Sequence, residues 1–481
     1  MSDRDLFAID RFRADAHNVV ELMTQYLAQS AAIGSDPPVL PRTGPNALCE
    51  LFPSAFPEVG DGDLVPTIRR ALEHSTALHS PGFVGHQVAT PLPGAALCDL
   101  VAALTNNGMA IYEMGPAGTA MEKAVLQHLG RSLGMPENAG GVLTSGGSLG
   151  NLTALLAARQ EKAGFDVWRR GLAAGPQLVV LVAATAHYSV ARAVRVLGLG
   201  DAGIVDVEVD DRLRLSPEAL ERAIVTCRKE GKRPIAVVAS AGSTAAGAID
   251  PLDEVADICA RHDLWFHVDG AHGASLVLSR RRREHLKGIE RADSVVWDAH
   301  KMLAMPALLT ALLFRDGKKG ARAFSQSAAY LFHDDDKESW ADVGRRTMEC
   351  TKRAMSLKLY ACLEAYGTRF FEEHVDRCCD LATALADAVR AHPSFELLTE
   401  PSCNIVCFRL RGLDGGQQAA VRRMVVEGGR FYLVKVRIEG ELWLRCTLAS
   451  PRTTKALLSE MLEELAAAAA SLPGRQAHEL S

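Results

Sequence analysis

Two short stretches of the chain place charged side chains where apolar runs end. WFHVDGAHGA (265–274) carries Asp269 directly after one run, and DSVVWDAHKML (293–303) carries Lys301 shortly after another. An amine can form a Schiff base with an aldehyde, and a carboxylate can hold a cationic ring nitrogen. The two residues therefore fit chemistry on an aldehyde that carries such a ring. A buried Asp–Lys ion pair is the alternative that the spacing leaves open.

A glycine-rich break lies upstream, in GGVLTSGGSLGNLTALLAAR (140–159). There a short apolar segment stops at 144–151 and a helical pattern begins. Glycines let a backbone approach an anion, hydroxyls donate to it, and a helix N-terminus adds partial positive charge. The break therefore predicts a phosphate cradle, with a turn carrying serine N-caps as the alternative. Neither GxxxxGK[ST] nor GxGxxG spacing is present, which disfavours nucleotide binding.

A histidine occupies a third position of interest. His187, in ATAHYSVARAVRVLG (183–197), follows an apolar run at 178–183 and precedes a helical pattern. An imidazole at this place can stack on a flat cofactor or take part in proton transfer. A capping or surface histidine is the plainer alternative.

The elements that must position these residues alternate between two patterns from about 92 to 320. Helices are predicted at 95–108, 119–133, 150–163, 188–197, 216–230 and 252–262. Short apolar runs lie at 178–183, 204–209, 235–239, 264–268, 294–297 and 309–314. Continuous apolar runs separated by helices are typical of a largely parallel sheet covered on both faces. We predict one large α/β domain with its ligand chemistry at the carboxyl ends of the strands.

The flanks of this region have other patterns. Residues 1–30 are predicted to form an amphipathic helix, and 34–62 is rich in Pro and Gly, as a linker or arm would be. Beyond 355 the chain shows long helices, then short strands at 395–398, 405–409, 432–438 and 442–447, and a last helix at 453–470. We predict an N-terminal helical arm and linker (1–91), a large α/β domain (92–355) and a small C-terminal α/β domain (356–481).

Composition limits what the chain can be. Of its 481 residues 48% are hydrophobic and 23% charged, which excludes a disordered chain. The net charge of −5 gives no reason to expect nucleic acid, and no run approaches the roughly 18 apolar residues of a membrane span. The charged N-terminus lacks the apolar core of a secretory signal. The eleven cysteines show no CxxC or zinc-like spacing, so we expect reduced thiols, no metal site and a cytoplasmic location.

Together the motifs resemble the group II pyridoxal-phosphate (PLP) amino-acid decarboxylases, which include the glutamate, cysteine-sulfinate, aromatic amino-acid and 2,4-diaminobutyrate decarboxylases. The resemblance runs from about His79 to Thr454 in the family's order. GIERADSVVWDAHK is its most specific string, and TSGGSLGNL and TAHYS support it. It implies the PLP-dependent transferase fold of type I, PLP as cofactor, and a homodimer with the active site at the subunit interface.

The resemblance also implies roles for individual residues. Lys301 would carry PLP, Asp269 would pair with the pyridinium nitrogen, and His187 would stack on the ring and help hold the substrate carboxylate. Tyr330, in AAYLFHDD, would protonate the product, and Arg445, in LRCTLASP, would grip a substrate carboxylate. The remaining cofactor contacts would come from Ser145, Gly146, Gly147, Ser148, Thr244 (or Ser243), Ala271 and His300.

Departures from the family's pattern bear on the substrate. His272 stands where many members have an aromatic residue, and Gly85-His86 stands where the glutamate enzymes have Asn-Gln. His86, Gln87 and His272 would make a polar pocket. We therefore predict α-decarboxylation of an L-amino acid with a small polar or charged side chain, such as 2,4-diaminobutyrate, glutamate, aspartate or cysteine sulfinate, to the amine and CO2.

Two rival functions stay open. The same residues could support decarboxylation with oxidation to an aldehyde, or transamination, and the chain could instead be a catalytically idle PLP-fold binding protein. Tyr330 argues against the oxidative route. Lys301, Asp269 and His187, all intact, argue against the idle protein.

Overall fold

Strands and helices alternate along the chain, of which the computed structural model describes residues 3–32, 34, 36–324 and 339–472. The strands are β1 (Gly140–Thr144), β2 (Leu178–Ala183), β3 (Ile204–Val207), β4 (Arg233–Ser240), β5 (Trp265–Asp269), β6 (Ser294–Asp298), β7 (Thr310–Phe314), β8 (Phe395–Leu397), β9 (Ile405–Leu410), β10 (Val434–Ile438) and β11 (Glu441–Thr447). The α-helices are α1 (Asp3–Leu6), α2 (Ile9–Ser30), α3 (Pro45–Leu51), α4 (Val65–Glu73), α5 (Pro93–Thr105), α6 (Pro116–Ser132), α7 (Gly147–Lys162), α8 (Val167–Arg170), α9 (Tyr188–Val196), α10 (Pro217–Lys229), α11 (Leu252–His262), α12 (Gly317–Arg322), α13 (Ser356–Ala391), α14 (Gly415–Glu427) and α15 (Lys455–Ala470).

The first seven strands form one sheet in the order β1-β7-β6-β5-β4-β2-β3. The pairs β2–β3, β2–β4, β4–β5 and β5–β6 are parallel, whereas β7 runs antiparallel to β1 and to β6. A parallel neighbour needs a crossover of roughly a dozen residues or more, usually a helix, but an antiparallel neighbour needs only a loop. The loop at 299–309 is enough for the reversal. The predicted α/β class with a largely parallel sheet is confirmed.

The sheet is covered on both faces, as its apolar runs predicted. Every residue of β2, β5, β6 and β7 is buried. Trp265 and Trp297 are 0% exposed, and their indole N–H groups donate to the hydroxyls of Ser294 and Ser275, each at 2.8 Å. Burying large apolar side chains stabilises the fold by roughly 1.5–3 kcal/mol each. A buried N–H group without an acceptor would cost free energy of folding, and the two serines provide the acceptors.

The helices predicted between 92 and 320 begin and end close to the predicted positions. Several begin with proline at the first helical position, where the missing N–H group costs nothing and the fixed φ suits the helix; these are α5, α6 and α10. The hydroxyl of Ser216 caps α10 by accepting from the Ala219 N–H at 3.2 Å. None of the helices in the described ranges is both long and apolar enough to cross a membrane.

The chain folds into two compact units. The large unit comprises Gln87–Ala386 and Thr399–Val406, and the small unit comprises Met1–His86, Asp387–Leu398 and Cys407–Ser481. A second sheet has the order β10-β11-β9-β8, with the pairs β10–β11 and β8–β9 antiparallel. The domain boundaries after residues 91 and 355 stay a prediction.

A buried ion pair in the large unit fastens the carboxyl end of β1. Lys352 Nζ lies 2.8 and 2.9 Å from the two carboxylate oxygens of Glu122, and both side chains are at most 4% exposed. Glu122 accepts from the Leu143 N–H at 3.0 Å, and Lys352 donates to the Leu143 carbonyl. Burial lowers the pKa of Lys352, and the charge of Glu122 opposes that shift. The pair therefore binds both the backbone N–H and the backbone carbonyl of Leu143, one residue before β1 ends at Thr144.

Lys352→Met should destabilise the protein, because it leaves the Glu122 carboxylate buried without its cation. Removing one member of a buried pair costs roughly 3–5 kcal/mol, and denaturant titration should show this loss in the free energy of unfolding. Arg369→Met is the control, since Arg369 pairs with Glu373 on an exposed helix face, where such pairs contribute roughly 0.3–0.5 kcal/mol. Equal losses in the two variants would contradict the role given to the buried pair.

Candidate active site

The loop between β6 and β7 holds a lysine beside a buried carboxylate. Asp298 is the last residue of β6, and its Oδ2 lies 3.1 Å from Lys301 Nζ and 3.6 Å from His300 Nε2. The Thr310 hydroxyl donates to the other carboxylate oxygen, and Asp298 is buried. Lys301 therefore forms an ion pair with Asp298, three residues before it, rather than with the Asp269 that the spacing had suggested as the alternative partner.

Asp269 ends β5, and two N–H groups fix its carboxylate. Asn151 Nδ2 donates to Oδ2 at 3.0 Å, and the Ala271 backbone N–H donates to Oδ1 at 3.2 Å. The residue is 9% exposed. Because β5 and β6 are parallel neighbours, their carboxyl ends lie at the same edge of the sheet. Asp269 and Asp298 therefore present two anions at this edge.

His187 lies within electrostatic range of both anions and of the lysine. It is the N-cap of α9, where its Nδ1 accepts from the Ser189 backbone N–H at 3.3 Å. Burial lowers the pKa of His187; the charge of Asp269 opposes this shift, and the charge of Lys301 adds to it. The imidazole is therefore neutral near neutral pH. The structure brings His187, Asp269 and Lys301 together. His187 also caps α9, so the plainer alternative of a capping histidine describes it as well.

The predicted phosphate cradle is the turn between β1 and α7. Gly146 has a φ of +119°, which residues with a side chain rarely adopt. α7 begins at Gly147 and includes Ser148 in its first turn, whose N–H groups have no acceptor within the helix and carry partial positive charge. A Cβ on Gly147 would lie 3.2 Å from both carboxylate oxygens of Asp298 and 3.5 Å from the Cβ of Ala271. The turn therefore lies directly against the two strand ends.

The chemistry of these groups fits PLP. Lys301 offers the amine that binds an aldehyde, and Asp269 offers an anion for a protonated ring nitrogen. His187 offers a flat ring, and the buried Ala271 offers a small apolar surface. The turn at 145–148 offers N–H groups and hydroxyls to a phosphate. Each part of the cofactor thus has a chemically matched group in one region of the large unit.

The remaining predicted cofactor residues lie in nearby turns. His300 Nδ1 lies 2.9 Å from the Leu309 carbonyl oxygen, which holds the ring in the loop that carries the lysine. The Ser243 hydroxyl accepts from the Ala248 N–H at 3.1 Å, so it stabilises the turn at 243–248. Thr244 follows it and is partly exposed. Contact of Thr244 with the cofactor stays a prediction.

Two predicted substrate residues come together in the small unit. Arg445 lies on β11 and is 7% exposed, and burial lowers its pKa. The ring of His86 lies 5.9 Å from that of Tyr432. The pKa of His86 is lowered mainly by burial, and the charges of Arg445 and Arg422 lower it further. Arg445, Arg422 and a neutral His86 therefore form a cluster, called here the arginine cluster.

Several residues that support the site were missed by sequence reasoning. Asn151 holds Asp269, and its place as the last residue of the glycine-rich break at 144–151 was the available signal. Glu349 accepts from the Ser145 hydroxyl at 3.0 Å, and no motif indicated that contact. Tyr330, the predicted proton donor, lies outside the described residues. Within the described ranges no group of three or more His, Cys, Asp or Glu residues could hold a metal ion.

Comparison with known proteins identifies the family. Residues 45–411 match the family model described as the pyridoxal-dependent decarboxylase conserved domain. Human acidic amino acid decarboxylase GADL1 is 32% identical over 419 residues, which covers 84% of this chain and 80% of that protein. Mouse cysteine sulfinic acid decarboxylase is 37% identical over 343 residues, covering 71% and 69% respectively. The chain belongs to the pyridoxal-dependent decarboxylase family.

A solved structure shares the whole fold. The crystal structure of mouse CSAD superposes with a TM-score of 0.90 at 29% sequence identity, covering 96% of this chain and 100% of that one. The predicted resemblance and the type I fold are thereby confirmed. The chain is a PLP-dependent carboxy-lyase that acts on amino acids.

Gly146→Ala should weaken PLP binding, because a Cβ is strained at a φ of +119° and the cradle must shift to relieve it. Strain of roughly 1–3 kcal/mol would raise the dissociation constant about 5- to 150-fold, measured by cofactor absorbance in a titration of apoenzyme. Gly130→Ala is the control, because a Cβ there meets nothing within 4 Å. Unchanged affinity in a folded Gly146→Ala protein would show that the turn does not hold the phosphate.

Proposed function

We propose that the enzyme removes the α-carboxylate of a small acidic L-amino acid, such as aspartate, glutamate or cysteine sulfinate, as CO2. The arginine cluster carries this proposal, because the positive charges of Arg445 and Arg422 both act at His86 and would attract an anionic group there. The names of the two relatives, an acidic amino acid decarboxylase and a cysteine sulfinic acid decarboxylase, agree with that chemistry. A side-chain amine such as that of 2,4-diaminobutyrate would meet like charges there.

The large unit provides the groups for the reaction itself. Bound PLP supplies a cationic ring that withdraws electrons from the Cα of a linked amino acid. Asp269 is proposed to keep a proton on the ring nitrogen, since its carboxylate is held ready by two N–H donors. Asp298 is proposed to position the lysine, since its Oδ2 lies 3.1 Å from Lys301 Nζ. His187 is proposed to cover one face of the ring, and Ala271 the other.

Three further roles complete the proposal. The turn at 145–148 is proposed to bind the phosphate, with His300 beside it, and Arg445 is proposed to bind a carboxylate of the substrate. Protonation of the product by Tyr330 is proposed on the resemblance alone.

Arg445→Gln should impair turnover of the best acidic substrate. Loss of one partner of a buried charge pair costs about 2 kcal/mol or more, so kcat/KM should fall roughly 30-fold or more in an assay of CO2 release. Arg437→Gln is the control, because Arg437 is an exposed residue of the adjacent strand β10. Faster CO2 release from 2,4-diaminobutyrate than from aspartate, glutamate and cysteine sulfinate would contradict the proposed substrate class.

Product analysis in the same assay separates decarboxylation from its rivals. We expect one amine for each CO2. An aldehyde with peroxide and ammonia would indicate the oxidative route, and a keto acid would indicate transamination. A purified protein without cofactor absorbance would favour the idle binding protein. Any of these three results would overturn the proposed reaction.

We also propose a homodimer in which α5 contributes to the contact. Leu97, Leu100, Val101 and Leu104 recur at helical spacing on α5, and each is 47–64% exposed. An apolar face of this kind is typical of a protein interface. A second copy of the chain is its proposed partner, as the resemblance implies.

The double variant Leu100→Glu/Leu104→Glu should shift the mass measured by sedimentation from dimer to monomer, because it places charges in the apolar contact. Val225→Glu is the control, since Val225 is 40% exposed on α10. A wild-type monomer, or a double variant that stays dimeric, would contradict the proposed contact.

We infer a cytoplasmic location from the thiols. All eleven cysteines are unbridged, and Cys49 and Cys350 are exposed. Exposed thiols of this kind persist in reducing compartments. Recovery of the protein from an oxidising compartment in cell fractionation would contradict the inference.

A further inference from the structure

A continuous chain of buried polar side chains runs behind the site in the large unit. The chain ends at the half-buried His187. Its other members are each at most 2% exposed: Trp265, Ser294, His267, Asn151 and Ser189. The consecutive distances are 2.8 Å (Trp265 Nε1 to Ser294 Oγ), 2.8 Å (Ser294 Oγ to His267 Nδ1), 2.9 Å (His267 Nε2 to Asn151 Oδ1), 3.0 Å (Asn151 Nδ2 to Ser189 Oγ) and 2.7 Å (Ser189 Oγ to His187 Nδ1).

Asp269 fixes the orientation of Asn151 within this chain. An ionised carboxylate only accepts hydrogen bonds, so the amide group that faces Asp269 Oδ2 at 3.0 Å must be Nδ2. Asn151 Oδ1 then faces His267 Nε2, which must carry a proton to make that bond. Burial lowers the pKa of His267 to about 4, so its ring is neutral and Nδ1 accepts.

The far end of the chain agrees with this assignment. An indole N–H only donates, so Ser294 Oγ accepts from Trp265, and its own proton is available to donate to the unprotonated His267 Nδ1. The proton order that Asp269 sets can therefore be completed at this end of the chain. Every donor along this part of the chain has an acceptor.

The same order continues toward His187. The second hydrogen of Asn151 Nδ2 goes to Ser189 Oγ, which leaves the hydroxyl proton of Ser189 for His187 Nδ1 at 2.7 Å. The backbone N–H of Ser189 donates to the same nitrogen at 3.3 Å. The backbone N–H can only donate, so Nδ1 is unprotonated and the Ser189 hydroxyl also donates to it. A neutral His187 must then carry its proton on Nε2.

We propose that Asn151 and Ser189 are positioning residues that couple Asp269 to His187 and hold His187 as the neutral ring with its proton on Nε2. His187 thereby presents an N–H donor, which suits a carboxylate oxygen of the substrate. This proposal deepens the proposed function, because it rests on the role of His187 beside the substrate. The charged groups that act on His187 are Asp269, Lys301, Asp298 and Arg192.

The tautomer is tested directly by ¹⁵N spectra of the holoenzyme labelled at histidine, with the His187 signals assigned by their loss in His187→Gln. We expect Nδ1 of His187 to give the shift of an unprotonated nitrogen and Nε2 that of a protonated one. Ser189→Ala should reduce the protonated fraction at Nε2 and raise the pKa of His187 in a pH titration, because it removes a donor to the neutral ring. A proton on Nδ1 in the wild type would overturn the proposal.

Two variants separate a positioning role from a packing role. Ser189→Thr keeps a hydroxyl and should give the wild-type spectrum. Ser275→Ala removes a different buried serine, which accepts from an indole N–H, and should leave the spectrum of His187 unchanged. Ser189→Ala should also lower kcat/KM roughly 3- to 10-fold. Unchanged spectra and titration in Ser189→Ala would refute the coupling. The spectra do not depend on the substrate, so a wrong substrate class would leave this result intact.

Discussion

The carboxylate of Asp269 is buried at the end of β5, and its negative charge orders the groups around it. A buried anion is tolerated only when donors compensate the water it has lost. Two N–H groups do so, from Asn151 and from the backbone of Ala271. Because Asn151 must turn its amide nitrogen toward the anion, it donates to Ser189 Oγ and accepts from His267 Nε2. The charge that suits a protonated ring nitrogen thus also sets the state of His187.

A second carboxylate, Asp298 on the adjacent strand, has a different partner. Asp298 ends β6 and faces Lys301, which the short loop at 299–309 brings back over the strand end. The reversal of β7 makes this loop possible, since a parallel strand would need a helical crossover. Parallel pairing of β5 and β6 keeps the two anions at one sheet edge. Asp269 is the one proposed to face the ring nitrogen, and Asp298 lies beside the Lys301 amine. The glycine-rich turn completes this arrangement because Gly147 leaves room against Asp298.

The sequence was sufficient to predict the elements that carry the site, because each has a strong local pattern. Buried strands such as 178–183 are continuous apolar runs, and Asp269 and Lys301 stand out as charges at strand ends. The direction of β7 was not predictable, since an apolar run has no direction. The partners of Lys301 and Asp269 were also missed, because Asp298 and Asn151 act through side-chain geometry that spacing does not encode. Glu122 and Lys352 are separated by 230 residues, so only the fold could reveal their pairing.

The proposed function depends on covalent attachment of PLP to Lys301, in the site ordered by Asp269. Reduction of the holoenzyme with borohydride, followed by proteolysis and mass spectrometry, identifies the attached residue. The pyridoxyl group should be found on the peptide containing Lys301, with stoichiometric loss of the cofactor absorbance. A pyridoxyl group on any other lysine, or none at all, would contradict it.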